Sequence, residues 1–338
     1  MFVDELARFA AGVADARVTT IAETVAAPLR VEVCGRRGVG CSTVARALDR
    51  ADGIRAAEVR SRFHPDADVV VYVIAEVVKP EDSEAVGAIS ARLPVLVVLN
   101  KADLAGFAGE GPIAAARARC AEFAGLLGVP VQPMIGLLAA LDDLDDAWGD
   151  VRELVALLAA ANPVPVERRR RLLNSLDLFG TALAVAAVGK GYSAAQLRAL
   201  LRQASCVDAV VAKIHALCAE LRYRRVLDAV AALEALAVCE SCSGDRLAER
   251  ITRFLAHDDT VVARMADATD LVHAAGLPDG PRSGLVADGP DEHLSRAVRW
   301  QRYSVDSSVG DVQRVCAADI ARGSLRLWSR AGVLGASR

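Results

Sequence analysis

Hydrophobic and polar positions follow two different patterns along the chain, and the pattern changes near residue 160. Apolar and charged residues alternate like a strand over Leu29–Cys34, and apolar runs typical of strands occur at Val69–Ile74 and Val95–Leu99, with a short run at Val129–Val131. Two of these runs contain no charged or amide side chain over five or six residues, which is typical of strands buried on both faces of a parallel sheet. This part of the chain therefore predicts a sheet.

Helical patterns separate the predicted strands. Apolar residues recur at three- and four-residue steps over Ser42–Leu48, from Pro80 onward and over about residues 112–127, and another such stretch follows the last strand. Strands and helices that alternate in this way predict an α/β fold, a doubly wound and mostly parallel sheet over residues 29–160.

The rest of the chain gives helical patterns alone. Residues 2–26 form one amphipathic stripe ahead of the sheet. Two prolines and the basic run Arg168–Arg171 mark the end of the sheet domain, and Ser193 and Gln196 have the spacing of a helix capping box. The predicted domains are an N-terminal helix over 1–28, an α/β domain over 29–160 and an all-α helical domain over 161–338.

A glycine-rich loop connects the first predicted strand to a helix. Residues 35–42 read Gly-Arg-Arg-Gly-Val-Gly-Cys-Ser, the spacing of a phosphate-binding P-loop, except that Cys41 stands where the motif has lysine. Backbone N–H groups and the helix N-terminus hold phosphate in such a loop, and Ser42 can reach Mg²⁺. The thiol lacks the positive charge of lysine, so Arg36 or Arg37 is the alternative source of charge.

The second chemical signal is the segment Asn100-Lys101-Ala102-Asp103, which follows the buried strand Val95–Leu99. It resembles the NKxD motif of the TRAFAC-class P-loop GTPases, the group of Ras-like, Era-like and dynamin-like proteins. It also lies in the family's order, after the glycine-rich loop and a strand–helix unit. The resemblance covers about residues 29–160 and implies a P-loop GTPase-like fold.

The resemblance implies a guanine nucleotide, GTP or GDP, with Mg²⁺ as an optional ion. In the family the aspartate accepts hydrogen bonds from N1 and N2 of guanine, the lysine stem covers the base and the asparagine braces the site. A carboxylate suits guanine because that edge presents two donors, whereas adenine presents an acceptor there. The nucleotide-binding residues predicted in this way are Gly35, Arg36, Arg37, Gly38, Val39, Gly40, Cys41, Ser42, Thr43, Asn100, Lys101 and Asp103, with Ser42 as the metal ligand.

Several parts of a GTPase are missing. The interval Ala51–Asp68 is too short for two switch loops and two strands. The DxxG segment Asp103–Gly106 shares its aspartate with the base motif, and a second one, Asp177–Gly180, lies in the helical region. Met134–Gly136 stands where relatives have a Ser-Ala pair. We therefore predict no catalytic residue and, at most, a weak GTPase or pseudo-GTPase.

Two other clusters have metal-binding residue types. Cys239 and Cys242 form a CxxC pair that could bind zinc with His215 and Cys218, although cysteines buried among helices explain the pattern more simply. An acidic cluster could suggest calcium but lacks the EF-hand spacing, so a solvated helix end is the preferred interpretation; it comprises Asp142, Asp143, Asp145 and Asp146.

Composition narrows the setting. The net charge of −3 provides no attraction to nucleic acid or anionic lipid. An excess of alanine and arginine is typical of a bacterial protein, and the early acids Asp4 and Glu5 are not typical of a secretory signal. The apolar segment Leu178–Val188 is shorter than the ~20 residues of a spanning helix, so burial is preferred over membrane contact. A cytoplasmic location is expected.

Three functional hypotheses are compatible with these sequence features. The first is a guanine-nucleotide-binding regulatory or scaffold protein with little hydrolysis, which acts through its helical domain on a protein partner or on a second copy of itself. The second is a dynamin-like, membrane-associated subunit that works with a catalytically complete partner. The third is an interaction protein that keeps the fold without binding nucleotide.

Overall fold

The computed structural model describes residues 1–59, 64–106, 111–141, 144–159, 164–241, 246–275, 289–306 and 310–335. The strands in these ranges are β1 Leu29–Gly35, β2 Ile54–Glu58, β3 Val69–Ala75, β4 Val95–Asn100 and β5 Val131–Met134. The helices are α1 Phe2–Val13, α2 Ala16–Ala26, α3 Cys41–Leu48, α4 Pro80–Ser90, α5 Pro112–Leu127, α6 Gly136–Ala139, α7 Leu144–Ala159, α8 Val166–Gly189, α9 Ala194–Ser205, α10 Val207–Leu217, α11 Ala219–Ser241, α12 Arg246–Ala256, α13 Asp258–Ala274, α14 Pro290–Ser304 and α15 Asp311–Gly335.

The five strands form one sheet in the order β2-β1-β3-β4-β5, and all neighbouring pairs are parallel. The α/β fold with a parallel sheet, followed by helices, is therefore confirmed. The edge strand β2 was not predicted from the pattern, because only Ile54 of its five residues is buried. Strands β3 and β4 are buried almost throughout, which is why their continuous apolar runs identified them.

The chain divides into two packing units. The sheet unit spans Pro28–Leu217, and the helical unit combines Met1–Ala27 with Cys218–Arg338. These units differ from the sequence-based boundaries, which assigned α8, α9 and α10 to the helical domain. An amphipathic stripe shows that a helix buries one face but does not say which element covers it.

Helices α8 and α9 belong to the core of the sheet unit. Leu172, Leu176, Leu197 and Leu201 are buried in the same hydrophobic cluster as the residues of β3 and β4. The predicted capping box of α9 is present, with Ser193 and Gln196 each accepting a hydrogen bond from the other's backbone N–H. Residues beyond 160 thus help to form the α/β core.

Helix α8 is kinked at Asp177, whose φ of 59° lies in the left-handed region. Along it, one buried stripe faces the core, formed by Leu172, Leu176, Gly180, Ala184 and Ala187. By length and composition alone, α8 is also the one described helix apolar enough to cross a membrane, and 28% of that window is buried. The segment 178–188 therefore lies on a helix that is only partly buried.

In the helical unit the first 26 residues form two helices, so the prediction of one helix was wrong. Ala14 adopts a left-handed φ of 56° that ends α1. The Asp15 carboxylate then accepts hydrogen bonds from the N–H groups of Arg17 and Val18 and begins α2. Both helices pack in one cluster with α11, α12 and α13.

Candidate functional site

The glycine-rich loop runs from the end of β1 into α3. Gly40 is the N-cap of α3 and has a φ of 95°, in the region that disfavours residues with a Cβ. A Cβ on Gly40 would also lie 2.4 Å from Nδ2 of Asn100. The close approach of Gly40 to Asn100 therefore requires glycine at this position, and it brings the loops after β1 and β4 together.

Asn100 connects three loops at the carboxyl edge of the sheet. Its Nδ2 donates to the carbonyl oxygen of Val39 at 2.9 Å, and its Oδ1 accepts from the N–H of Gly136 at 2.9 Å. The side chain is buried, so both hydrogen bonds lie away from solvent. Asn100 thus holds the glycine-rich loop, the loop after β4 and the start of α6 in one fixed arrangement.

Lys101 also reaches the glycine-rich loop. Its backbone has a left-handed φ of 57°, and its Nζ donates to the carbonyl oxygen of Gly38 at 3.2 Å. The remainder of the side chain is exposed. The structure therefore brings two of the three predicted base-site residues into contact with the loop predicted to hold phosphate.

Asp103 lies in a short 3-10 turn directly after Lys101. Its residue is only 6% exposed, yet its carboxylate accepts no hydrogen bond from another residue in the part of the chain that the structure describes. Burial raises the pKa of this carboxyl group, and the nearby charge of Asp177 raises it further, while its own backbone N–H and Lys101 oppose the shift. A carboxylate that accepts no hydrogen bond from another described residue can accept donors from a ligand.

Cys41 is the first residue of α3 and is buried at the base of the loop. Burial raises the pKa of its thiol to about 11, and the carboxylate of Glu58 adds to the shift. The side chain is therefore neutral at physiological pH. It brings no positive charge to the position that lysine has in a complete phosphate-binding loop.

Arg36 is paired with a buried carboxylate of α4. Its Nε donates to Oδ1 of the fully buried Asp82 at 2.8 Å, and the same oxygen accepts from the Tyr72 hydroxyl at 3.0 Å. The other carboxylate oxygen accepts from the backbone N–H of Lys79, which caps α4. The hydrogen bond to Asp82 and the charge of that carboxylate raise the pKa of Arg36. Arg37, its neighbour, is exposed.

A cavity of about 1030 Å³ lies beside the loop, lined by residues of β1, β2, β3 and α4. Arg37, Gly38, Ser42 and Glu58 are among its lining residues. Glu58 ends β2 and places a carboxylate near Cys41 and Ser42, and sequence analysis missed it. If β2 had been identified as a strand parallel to β1, Glu58 would have been expected at this site, because the carboxyl ends of parallel strands lie at the same edge of the sheet.

The alternative metal clusters receive no support. Among the described residues no group of three or more histidine, cysteine, aspartate or glutamate side chains could hold a metal ion. Cys218 is buried and Cys239 is exposed, and both belong to the helical unit. His215 belongs to the sheet unit. Cys242 and the acidic side chains at 142, 143, 145 and 146 lie outside the described residues.

A comparison of the chain with protein-family models and with curated protein sequences finds no match. The function is therefore argued from the geometry of this site.

Proposed function

We propose that the sheet unit binds a guanine nucleotide at the carboxyl edge of its sheet. The observation that carries this proposal is the Asn100 bridge, which joins the glycine-rich loop to the segment that bears Asp103. One end of the site then offers backbone N–H groups for phosphate, and the other offers a buried carboxylate that has no donor from another described residue. The N1 and N2 donors of guanine match that carboxylate.

The phosphate end binds through the loop and, where Mg²⁺ is present, through the metal. The hydroxyl of Ser42 and the carboxylate of Glu58 line the same cavity and are the oxygen ligands that Mg²⁺ prefers. Hydrolysis is weak or absent in this proposal, because Cys41 is neutral. A neutral thiol leaves the transition-state charge without the lysine that phosphoryl transfer uses.

We assign the protein a regulatory or scaffold role in the cytoplasm, in which the helical unit contacts a protein partner. Its support is an apolar surface of α14 with basic margins, where Leu294 and Val298 are partly exposed beside Arg299 and Arg302. Surfaces of this composition are typical of protein interfaces.

The test is a titration of the purified full chain with fluorescently labelled GDP and GTP, with ATP as competitor. Saturable binding with a Kd below ~100 µM, about −5.5 kcal/mol, is expected for GDP and not for ATP. Asp103→Ala should abolish the guanine preference. Asp270→Ala is the matched control, since Asp270 is an exposed aspartate on α13 and is not part of the candidate site.

A second candidate is an interaction protein that binds no nucleotide, and a different observation favours it. The Nζ of Lys101 already donates to the Gly38 carbonyl oxygen, and Arg36 already forms an ion pair with Asp82. Some polar groups of the loop therefore have partners within the protein. This candidate predicts no saturable GDP binding and an Asp103→Ala variant that differs only in stability.

A further inference from the structure

The glycine-rich loop carries two adjacent arginines and no lysine, and only Arg36 forms an ion pair with a described residue. Arg36 pairs with Asp82 at 2.8 Å, and the side chain of Asp82 is completely buried. Tyr72 and the backbone of Lys79 complete the coordination of that carboxylate. Pulling Arg36 toward a ligand would leave a buried carboxylate without its cation, which is a large penalty.

Arg37 is in the opposite situation. It is exposed, and it makes no ion pair or side-chain hydrogen bond with any residue in the described ranges. It lines the cavity of about 1030 Å³ together with Gly38, Cys41 and Ser42. An exposed guanidinium that lines the cavity without an ion pair is therefore available to a ligand.

The described groups next to Arg37 in this cavity add little positive charge. The thiol of Cys41 is neutral, Glu58 adds negative charge beside it, and Nζ of Lys101 is held by the Gly38 carbonyl. Of the described residues that line this cavity, only Arg36 and Arg37 are cations, and Arg37 is the one without an ion pair.

We propose that Arg37 is the phosphate-binding cation of this loop and replaces the lysine that Cys41 displaces. This inference rests on the proposed guanine-nucleotide site and specifies how that site holds its charged end. A guanidinium presents parallel donors that fit two phosphate oxygens at once. Arg37 therefore selects nucleoside diphosphates and triphosphates over the uncharged nucleoside.

The experiment measures the affinities of the full chain for guanosine and for GDP by competition against labelled GDP. Arg37→Ala should weaken GDP binding by about tenfold to hundredfold, the range for hydrogen bonds to charged groups, and leave guanosine within about twofold. It should also make GDP binding less dependent on salt. Arg46→Ala, an exposed arginine on α3, is the matched control and should change neither affinity.

Two further variants separate charge from shape. Arg37→Ala combined with Cys41→Lys should recover GDP affinity, because lysine then stands at the usual position. Arg36→Ala should lower the Tm while the ratio of GDP to guanosine affinity stays within about threefold.

The outcomes are distinguishable. If the unsubstituted protein binds GDP and Arg37→Ala binds it equally well, the inference is overturned while the proposed function stands. Equal weakening of guanosine and GDP, or loss of the GDP preference in Arg36→Ala alone, also overturns it. No saturable GDP binding by the unsubstituted protein overturns the proposed function itself and the inference with it.

Discussion

At the base end of the candidate site, Asn100 ends β4 and Lys101 and Asp103 follow it, and the side chains of Asn100 and Lys101 are held by hydrogen bonds within the protein. At the phosphate end, Gly40 and the Asn100 bridge fix the backbone path of the loop. The positive charge of a P-loop lysine is missing there, because Cys41 is neutral. The two ends therefore separate shape from charge. Loop shape depends on glycine and on one amide, whereas phosphate affinity also needs a cation.

The bridge that joins the two ends is the first place to break the comparison, and it has the largest expected effect. Asn100→Ala leaves Val39 O and Gly136 N unpaired in buried surroundings and should cost about 2–4 kcal/mol in the free energy of unfolding. Urea denaturation of the full chain measures it. Asn174→Ala, an exposed asparagine on α8, is the control and should change stability by less than ~0.5 kcal/mol. Equal midpoints for the two variants would mean that the bridge does not hold the ends together.

A lysine at the phosphate end sharpens the comparison. Cys41→Lys should raise GDP affinity about tenfold, a change of ~1.4 kcal/mol, because it adds the missing charge at the N-terminus of α3. Guanosine affinity should stay unchanged. Cys41→Ala serves as the control for removal of the thiol, and a lysine variant no better than the alanine variant would be evidence against a phosphate site.

The base end should respond to pH. Burial raises the pKa of Asp103 above its ordinary value of 3.8, and only the ionised carboxylate accepts hydrogen bonds from both guanine donors. The contribution of Asp103 to GDP binding is therefore present above its raised pKa and lost as pH falls through it. We expect GDP affinity to fall several-fold as pH is lowered through the raised pKa of Asp103, beginning at a higher pH than an ordinary aspartate would give.

Asp177→Ala tests the origin of that profile. It removes a negative charge that raises the pKa of Asp103, so the loss of GDP affinity should move to lower pH. Titration of the GDP phosphate is the same in both proteins and cancels in the comparison. Identical profiles for the variant and the unsubstituted protein would separate the pH dependence from Asp103.

The smallest effect is expected from the metal. Ser42 is exposed, so Ser42→Ala should leave stability unchanged and reduce GDP affinity about threefold, only when Mg²⁺ is present. The measurement is GDP titration with Mg²⁺ and with EDTA. The same loss in both conditions would assign Ser42 a role without metal.

The sequence pattern located the elements that are buried on both faces. Strands β3 and β4 end within one residue of their predicted bounds, since their apolar runs are continuous. The edge strand β2 was missed because one buried residue gives no pattern, and Glu58 was missed with it. Edge strands bury less surface, and their sequences are correspondingly less constrained.

Residue contacts between distant segments were harder to predict. The order of the glycine-rich loop and the Asn100 segment indicated a shared site, but the commitment of Arg36 to Asp82 depends on a contact across 46 positions. The packing units are a second case, because α8 and α9 bury leucines against the sheet while their sequence shows only an amphipathic stripe. Both the pairing of Arg36 and the packing of α8 and α9 depend on residues that are distant in the sequence.

The most direct test of the central claim exchanges the base that Asp103 is proposed to bind. Xanthine differs from guanine by a carbonyl oxygen in place of the N2 amino group, so it needs a donor where guanine needs an acceptor, and an asparagine amide supplies one. The measurement is titration of the unsubstituted chain and of Asp103→Asn with GDP and with xanthosine diphosphate. We predict that the unsubstituted chain prefers GDP and that Asp103→Asn reverses the preference. Equal GDP affinity in both proteins, or no saturable binding of either nucleotide to either protein, would contradict the assignment of this site to guanine.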